Sequence, residues 1–440
     1  MIIEFTIQNY LSFRDRNALS LVALHEHATT QGETEDKVIH VNDKLALLTV
    51  TGMFGANASG KTNVIRGISD FRNTVLRSSD SDFRLIEPGF LYSSSASDRE
   101  TTLELQFVMD RFPYRYGFSF INGLFTAEWL YVSKSSWETK LFERKGDHID
   151  RGRTFREGSA FIDDGLLTNP SALFLTLASR GRGGDVCKDI LAFIKQKVEV
   201  ITGLTDAHLR KHTIECLENN RHTAGIKALL SHADFGLTDV RLMDEGQISV
   251  ELSPQPTVSE ADLKRLEQEI INEVRLVSRR TVYNEENLPT GTREAPFALH
   301  ESQGTQKLFA LAGPLMDALH SGAALFVDEL DAKLHPMLTK AIIELFQSPI
   351  SNPNGAQLVF APHDTNLLHS AHLRRDQIWF VDKDQQGASK LYALSDFRKS
   401  QRKSANIEKD YLDGCFGALP FIEQFSSVQV SPATGNNVPK

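Results

Sequence analysis

The chain is poor in cysteine: Cys187, Cys216 and Cys415 are its only three, scattered and without metal-ligand spacing. A disulfide framework and a Cys-x-x-Cys zinc site are therefore excluded, and the thiols suit a reducing cytosol. No apolar run approaches the roughly 18–20 residues that cross a bilayer. The opening Met1-Ile-Ile-Glu-Phe-Thr-Ile-Gln alternates like a strand and lacks a basic stretch before an apolar one, so it is not read as a signal peptide. These absences predict a cytoplasmic protein. There is no surplus of positive charge either. With 48 Lys and Arg against 57 Asp and Glu the net charge is −9, which argues against wrapping nucleic acid with the whole surface and leaves room for a local basic patch. No repeat of fixed period is found, which removes solenoids and propellers.

What remains is an ordinary globular composition, 41% hydrophobic and 24% charged over 440 residues, with the soft expectation of two or three domains. Its most informative stretch is Gly55-Ala56-Asn57-Ala58-Ser59-Gly60-Lys61-Thr62, which fits G-x-x-x-x-G-K-[ST]. An apolar run from Leu45 to Val50 is expected to be the strand entering this loop. Val64, Ile65, Ile68, Phe71 and Val75 then repeat at helical spacing behind it. Successive backbone N–H groups hold phosphate oxygens, so Gly55 and Gly60 must let the chain approach and bend. Lys61 brings charge to the β- and γ-phosphates, and the Thr62 hydroxyl is a ligand for Mg²⁺.

Along the chain, Ile2–Gln8 and Ala18–Leu24 read as strands and 25–44 as a polar loop. Residues 101–132 read as strands broken at Asp110-Arg111 and Asn122-Gly123, a β-meander. Beyond residue 150 helical patterns dominate: 172–178, 189–198, 214–230, and 260–277 with Leu263, Leu266, Ile270, Val274 and Val277 on one face behind a Ser259/Asp262 cap. Residues 297–311 read as a short strand, a turn and a helix start. Strands near 325–327, 357–361 and 377–381 then alternate with a helix over 336–346, the pattern of a mostly parallel sheet. The resulting divisions are an N-terminal lobe (1–150), a mainly helical insert (151–295), a C-terminal lobe (296–426) and a tail (427–440) expected to be disordered.

Three further stretches carry chemistry. The strand Ala324–Val327 delivers Asp328 and Glu329 at its C-terminal end, where ligands sit in open α/β sheets; Asp328 suits Mg²⁺ and Glu329 suits a general base for water. His363 follows the next strand, placed to sense a γ-phosphate. Glu301-Ser302-Gln303-Gly304-Thr305 is a polar turn ahead of an apolar helix. It reads either as a plain N-cap, with Ser302 or Thr305 as the cap, or as a second anion-binding helix start.

Taken in order, these motifs resemble an ABC-type ATPase head of the RecF/SMC/OLD class. Ile7-Gln-Asn-Tyr-Leu-Ser-Phe13 and Asn63 after Lys-Thr are typical of that class. The chain more closely resembles the stand-alone RloA/AbiL-type ATPases of bacterial phage-defence loci, PARIS-like subunits included. That likeness extends through Asp328–Pro336, His363–Leu368, Arg375–Phe380 and Tyr411–Pro420. The last two stretches carry no evident nucleotide chemistry.

The resemblance implies an α/β, two-lobed head with a mixed sheet core, a flanking antiparallel meander and a helical insert. It implies ATP and Mg²⁺ as cofactors and a homodimer, or higher homo-oligomer, closed through its ATP sites. Ser302 and Gly304 of one subunit would meet the γ-phosphate on the other, with Asp331 in the loop coupling the two sites. Departures are Ala361-Pro362 where small hydroxyl residues are usual and Glu301 where transporters carry leucine. No glutamine stands out for the Q-loop, Gln106 being the nearest candidate.

The resemblance implies an ATP-gated sensor or scaffold in anti-phage abortive infection. It would control a separately encoded effector, of the Toprim-like or RloB-like nuclease kind, with DNA or a phage protein as trigger. The stretch after His363 is too short for a fused nuclease. The alternative is a RecF-like repair ATPase clamping DNA through Arg279-Arg280 or Arg398-Lys399 with Arg402-Lys403. A transporter subunit ranks below both, and SMC-type arms have no room in the insert.

Overall fold

A computed structural model describes residues 1–24, 37–85, 89–93, 99–135, 137–155, 171–180, 185–202, 206–233, 236–243, 275–368, 373–397 and 406–420. Strands β1 (Ile2–Gln8) and β2 (Asn17–Ser20) open the chain, followed by a ribbon of β3 (Val38–Asn42) and β4 (Leu45–Leu48). β5 (Val50–Phe54) feeds helix α1 (Lys61–Arg77). The meander comprises β6 (Thr101–Met109), β7 (Phe112–Ile121), β8 (Leu124–Val132), β9 (Thr139–Lys145) and β10 (His148–Arg151). Helices α2 (Phe174–Ser179) and α3 (Asp185–Lys197) lead to β11 (Val198–Ile201), then α4 (Asp206–Glu218) and α5 (Thr223–Ala233). Next come β12 (Leu237–Leu242), β13 (Leu276–Tyr283) and β14 (Pro289–Pro296), the helical turn α6 (Phe297–His300) and the long α7 (Gln303–Ser321). β15 (Ala324–Asp328), α8 (Pro336–Gln347), β16 (Gln357–Ala361), β17 (Ile378–Lys383), β18 (Ser389–Ala393) and α9 (Ile407–Leu412) complete the described elements.

The central sheet runs β11-β15-β16-β5-β17-β18, parallel except for the antiparallel edge β18. Its inner strands are buried on both faces, so they read as unbroken apolar runs rather than alternations. Alternate residues nevertheless serve two cores. Met53, Phe326 and Val359 face α1 and the seven-stranded antiparallel sheet β10-β9-β8-β7-β6-β1-β2, whereas Phe54, Leu325 and Phe360 face α4, α5, α7 and α8. Helix α1 is thus sandwiched between sheets, with Phe71 stacked on Phe118 at 5.5 Å and edge-on to Phe5 at 6.1 Å.

A buried polar knot fixes the meander to the insert. The Glu128 carboxylate accepts from the amides of Phe174 (2.6 Å) and Leu175 (2.9 Å), at the start of α2, and from the Tyr116 hydroxyl (2.9 Å). Arg144, equally buried, sits 3.9 Å from it and donates to the carbonyls of Ala172 and Gly146 at 2.7 Å each.

Several local expectations change. The Leu45–Val50 run is divided at Thr49: Leu45–Leu48 pairs with β3, and the strand entering the loop is Val50–Phe54. Residues 297–300 form a helical turn where a strand was expected, and 214–230 contains two helices separated at Asn219–His222. Among its described residues, segment 151–295 adds strands to its helices. It contributes β11 to the central sheet and the separate sheet β12-β13-β14. Val277, placed on an amphipathic helix by its spacing, lies in β13; the rest of that expected helix up to residue 274 lies outside the described residues, as does the tail 427–440. Among the described residues no helix is long and apolar enough to cross a membrane.

Candidate functional site: a phosphate loop and acid pair at the C-terminal sheet edge

The loop joining β5 to α1 needs unusual backbone. Gly60 caps α1 at φ 118°, and a Cβ there would lie 2.6 and 2.7 Å from the hydroxyls of Ser389 and Ser12. Gly55 passes so close to β17 that a Cβ would meet the Val381 carbonyl at 2.3 Å. Behind the loop, the Ser389 hydroxyl donates to the Ser59 carbonyl (2.5 Å) and lies 2.8 Å from Ser12 Oγ, which accepts from Asn63 Nδ2 (2.8 Å). The back of the loop is thereby tied to the opening turn and to the edge strand. Its front is the start of a helix, where the first amides have no intrahelical partner. The Lys61 ammonium folds over this front and donates to the carbonyls of Gly55 (2.7 Å) and Ala56 (3.0 Å). Burial lowers its pKa, against the opposing pull of Asp328, Asp331 and Glu329. Ala58 adopts φ 64° in the loop, and the buried Ser59 hydroxyl has no hydrogen-bond partner among the described residues.

One strand, β16, separates β5 from β15, and Asp328 aligns with Ala361 across β15 and β16. That register places the acid pair and His363 on adjacent strand ends beside the phosphate loop. Asp328 is buried, and the Thr62 hydroxyl favours its charged form. Burial pushes its carboxyl up, the Thr62 hydroxyl opposes the shift, and the Glu329 charge adds to it. Glu329 leaves the strand in a left-handed conformation (φ 52°) while its amide donates to the Ala361 carbonyl at 3.0 Å. Its half-exposed carboxylate lies 3.6 Å from His363 Nε2. Asp331 Oδ2 accepts from the amides of His363 (2.9 Å) and Asp364 (2.8 Å), so this carboxylate ties the acid loop to the histidine loop within one chain.

The turn before α7 is capped by Ser302, whose Oγ accepts from the Thr305 amide at 3.1 Å. Glu301 is buried and paired with Arg280 through two bonds of 3.1 and 2.5 Å, which gives the residue that departs from transporter signatures a local structural role. A Cβ at Gly304 would stand 3.0 Å from the Lys333 carbonyl, so α7 begins against the acid-pair loop. Asp206 accepts from both Lys307 (2.7 Å) and Lys333 (3.1 Å) and reinforces that contact. None of the hydrogen bonds of Ser302 or Gly304 reaches residues 55–63.

Sequence reasoning missed three supports of the loop. Ser12 and Ser389 act across the whole chain length and have no local signature. Tyr411–Pro420, which offered no nucleotide chemistry, abuts the loop: the Ala56 amide donates to the Ala418 carbonyl at 3.0 Å. That turn is held by Tyr411 Oη on Ala418 O (2.9 Å), Tyr392 Oη on Phe416 O (2.7 Å), and Phe380 stacked on Tyr411 and Phe416. Gln106, the nearest Q-loop candidate, instead donates to Glu4 in the antiparallel sheet.

The donor set fits the implied cofactors. A helix start, a glycine-bent loop and a lysine suit the phosphates of ATP, and the hydroxyl of Thr62 with the carboxylate of Asp328 are hard oxygen donors suited to Mg²⁺.

A family described as "AAA domain, putative AbiEii toxin, Type IV TA system" matches residues 50–182 and 224–369. Similar solved structures include the SMC head domain from Thermotoga maritima, at 13% identity and TM-score 0.44, covering 89% of this chain and 98% of that one. An SmcHead bound to the C-winged helix domain of ScpA shows 15% identity and TM-score 0.39, over 89% and 97%. The head from Pyrococcus furiosus with an extended coiled coil shows 16% and 0.35, over 89% and 96%. No curated protein matches. The family match takes in more than half of the chain, including the phosphate loop, the Ser302 turn, the acid pair and His363. The chain belongs to this AAA-domain family.

Proposed function

We propose that the protein is a Mg²⁺-dependent ATP hydrolase acting in the cytoplasm as an ATP-gated sensor or scaffold in bacterial anti-phage abortive infection, controlling a separately encoded effector nuclease. When bound, Mg·ATP supplies the phosphoryl group that is transferred to water and the metal charge that polarises it. With ATP bound, the Lys61 ammonium would exchange its two carbonyl partners for phosphate oxygens. Thr62 and Asp328 would hold the metal, and Glu329 would accept the proton of the attacking water. His363, within reach of Glu329, reports on the γ-phosphate, and Asp331 couples that report to the acid loop.

One observation carries the gating part of the reading. Ser302 and Gly304 stand against the acid-pair loop, and their hydrogen bonds stay clear of the phosphate loop of the same chain. A second copy, turned head to tail, would complete each nucleotide site with this helix start. Nucleotide would then be part of the dimer interface, and closure would depend on it. The defence role draws support from the matched family, whose description names a toxin of a toxin–antitoxin system.

For the RecF-like alternative, Arg279 and Arg280 would have to exchange carboxylate partners for DNA phosphates. Arg279 bonds Glu294, which also holds Arg241, and Arg280 is committed to Glu301. The second basic cluster, 398–403, lies outside the described residues.

The test is the native mass and composition of the complex purified from its own operon, with and without ATP and Mg²⁺. An assembly beyond a dimer that carries a nuclease-like neighbour is expected. A complex with DNA bound and no protein partner, with or without ATP, would replace this reading with the repair one.

A further inference from the structure

Away from the nucleotide site, α4 packs on α7 across a cluster of metal-ligating groups. His212 and Cys216 lie one turn apart on α4 and Asp317 faces them from α7; their ligand atoms all fall within 4.8 Å of one another. His212 Nε2 is 2.6 Å from Asp317 Oδ2 and 3.9 Å from Cys216 Sγ. His222, from the turn between α4 and α5, brings its Nε2 to 3.0 Å from Asp317 Oδ1.

We propose that His212, Cys216 and Asp317 form a site for one divalent transition metal of the Zn²⁺ class, stapling α4 to α7, with His222, now 3.0 Å from Asp317 Oδ1, swinging in as the fourth ligand. Cysteine, histidine and aspartate are all zinc ligands, and the i, i+4 pair on a helix is a suitable bidentate platform. Zn–N near 2.0 Å and Zn–S near 2.3 Å set a tetrahedral N···S edge of about 3.5 Å, so the His212–Cys216 separation needs only a small contraction. The His212–Asp317 contact would open to admit the ion. A thiolate and two imidazoles discriminate against Mg²⁺, so the site would not compete with the phosphate loop for its metal.

The guanidinium of Arg221 bridges two of these residues. It donates to Asp317 at 3.0 and 3.2 Å and to Cys216 Sγ at 3.1 Å. A cation therefore already sits on the two donors that carry charge when a metal is bound. Arg221 can leave, because its side chain is 44% exposed and water can take over its hydrogen bonds. Metal uptake would send Arg221 to solvent and release the Cys216 thiol proton to water, the metal–thiolate bond taking its place.

The test uses the full chain, stripped with a chelator, free of nucleotide and titrated with Co²⁺. The expected result is one Co²⁺ per chain with a thiolate-to-cobalt charge-transfer band, displaced by Zn²⁺. Cys216→Ser should abolish that band, and His212→Ala or Asp317→Asn should weaken binding by about 100-fold or more, beyond what loss of outer-shell partners costs. Lys61→Ala should leave the band intact. Absence of the band from the wild type, or its survival in Cys216→Ser, overturns the proposal. If Cys216→Ser does not fold, His222→Ala decides. Unchanged Co²⁺ affinity and tetrahedral ligand-field intensity in that variant would equally overturn it.

Discussion

Replacing Glu128 by alanine should cost about 4 kcal/mol of stability, because breaking a buried pair strands the remaining charge. The carboxylate and Arg144 are both fully buried, and Glu128 accepts three hydrogen bonds. Its loss orphans the amides of Phe174 and Leu175 and the Tyr116 hydroxyl, at about 1–3 kcal/mol each before relaxation. Arg144 keeps its two carbonyl partners and loses its counter-charge. These costs overlap within one network and do not add, which is why the single-pair figure is the better guide. At about 2 °C per kcal/mol for a large cooperative unit, the midpoint should fall by about 8 °C. Thermal and urea unfolding would measure it, with amide exchange at Phe174 and Leu175 as the local readout. The double variant Glu128→Met/Arg144→Met should recover much of the loss, since the unpaired charge goes with it. A Glu128→Ala protein within about 1 kcal/mol of wild type, with both amides still protected, would refute this account of the knot.

Three predictions concern the nucleotide site. Because burial raises the Asp328 carboxyl, it should take up a proton at a higher pH than an exposed aspartate. The acid limb of turnover should therefore move to lower pH as Mg²⁺ is raised and vanish with the activity in Asp328→Asn; a limb insensitive to Mg²⁺ would assign it to another group. Ser302→Arg should leave ATP binding by the monomer intact while blocking nucleotide-dependent association, which parallel binding and mass measurements would separate. Ser389→Ala removes hydroxyl bonds to Ser59 and Ser12, and at about 1 kcal/mol it should weaken ATP binding about five-fold. Unchanged ATP affinity would show that the loop holds its shape without that support.

What was legible in the sequence had local causes. The glycine-bent loop, the apolar strand ending in Asp328-Glu329 and the apolar face of α1 each sit within a short window, and the structure gathers Lys61, Thr62, Asp328, Glu329, Asp331 and His363 at adjoining strand and helix ends. What was not legible depends on distant partners. Ser12 and Ser389 meet behind the loop only because β18 returns antiparallel at the sheet edge, beside β2. Thr49 interrupts an apolar run whose two halves join different sheets, a division no hydrophobic period can encode. Val277 shows the ambiguity of spacing: it continued a helical stripe yet pairs with Arg241 and Pro296 in a three-stranded sheet. Tyr411–Pro420 is an aromatic clamp on the loop, and its chemistry, being backbone hydrogen bonding and ring stacking, leaves no catalytic residue type to notice.

The central claim is that ATP closes two copies of this chain and that Glu329 then commits the nucleotide to hydrolysis. The most direct measurement is the native mass of the Glu329→Gln protein with and without Mg·ATP, alongside its turnover, with Lys61→Ala in parallel. The account predicts an ATP-dependent doubling of the Glu329→Gln mass, turnover far below wild type, and neither ATP binding nor doubling in Lys61→Ala. Wild-type turnover by Glu329→Gln, or a mass indifferent to ATP, would contradict it.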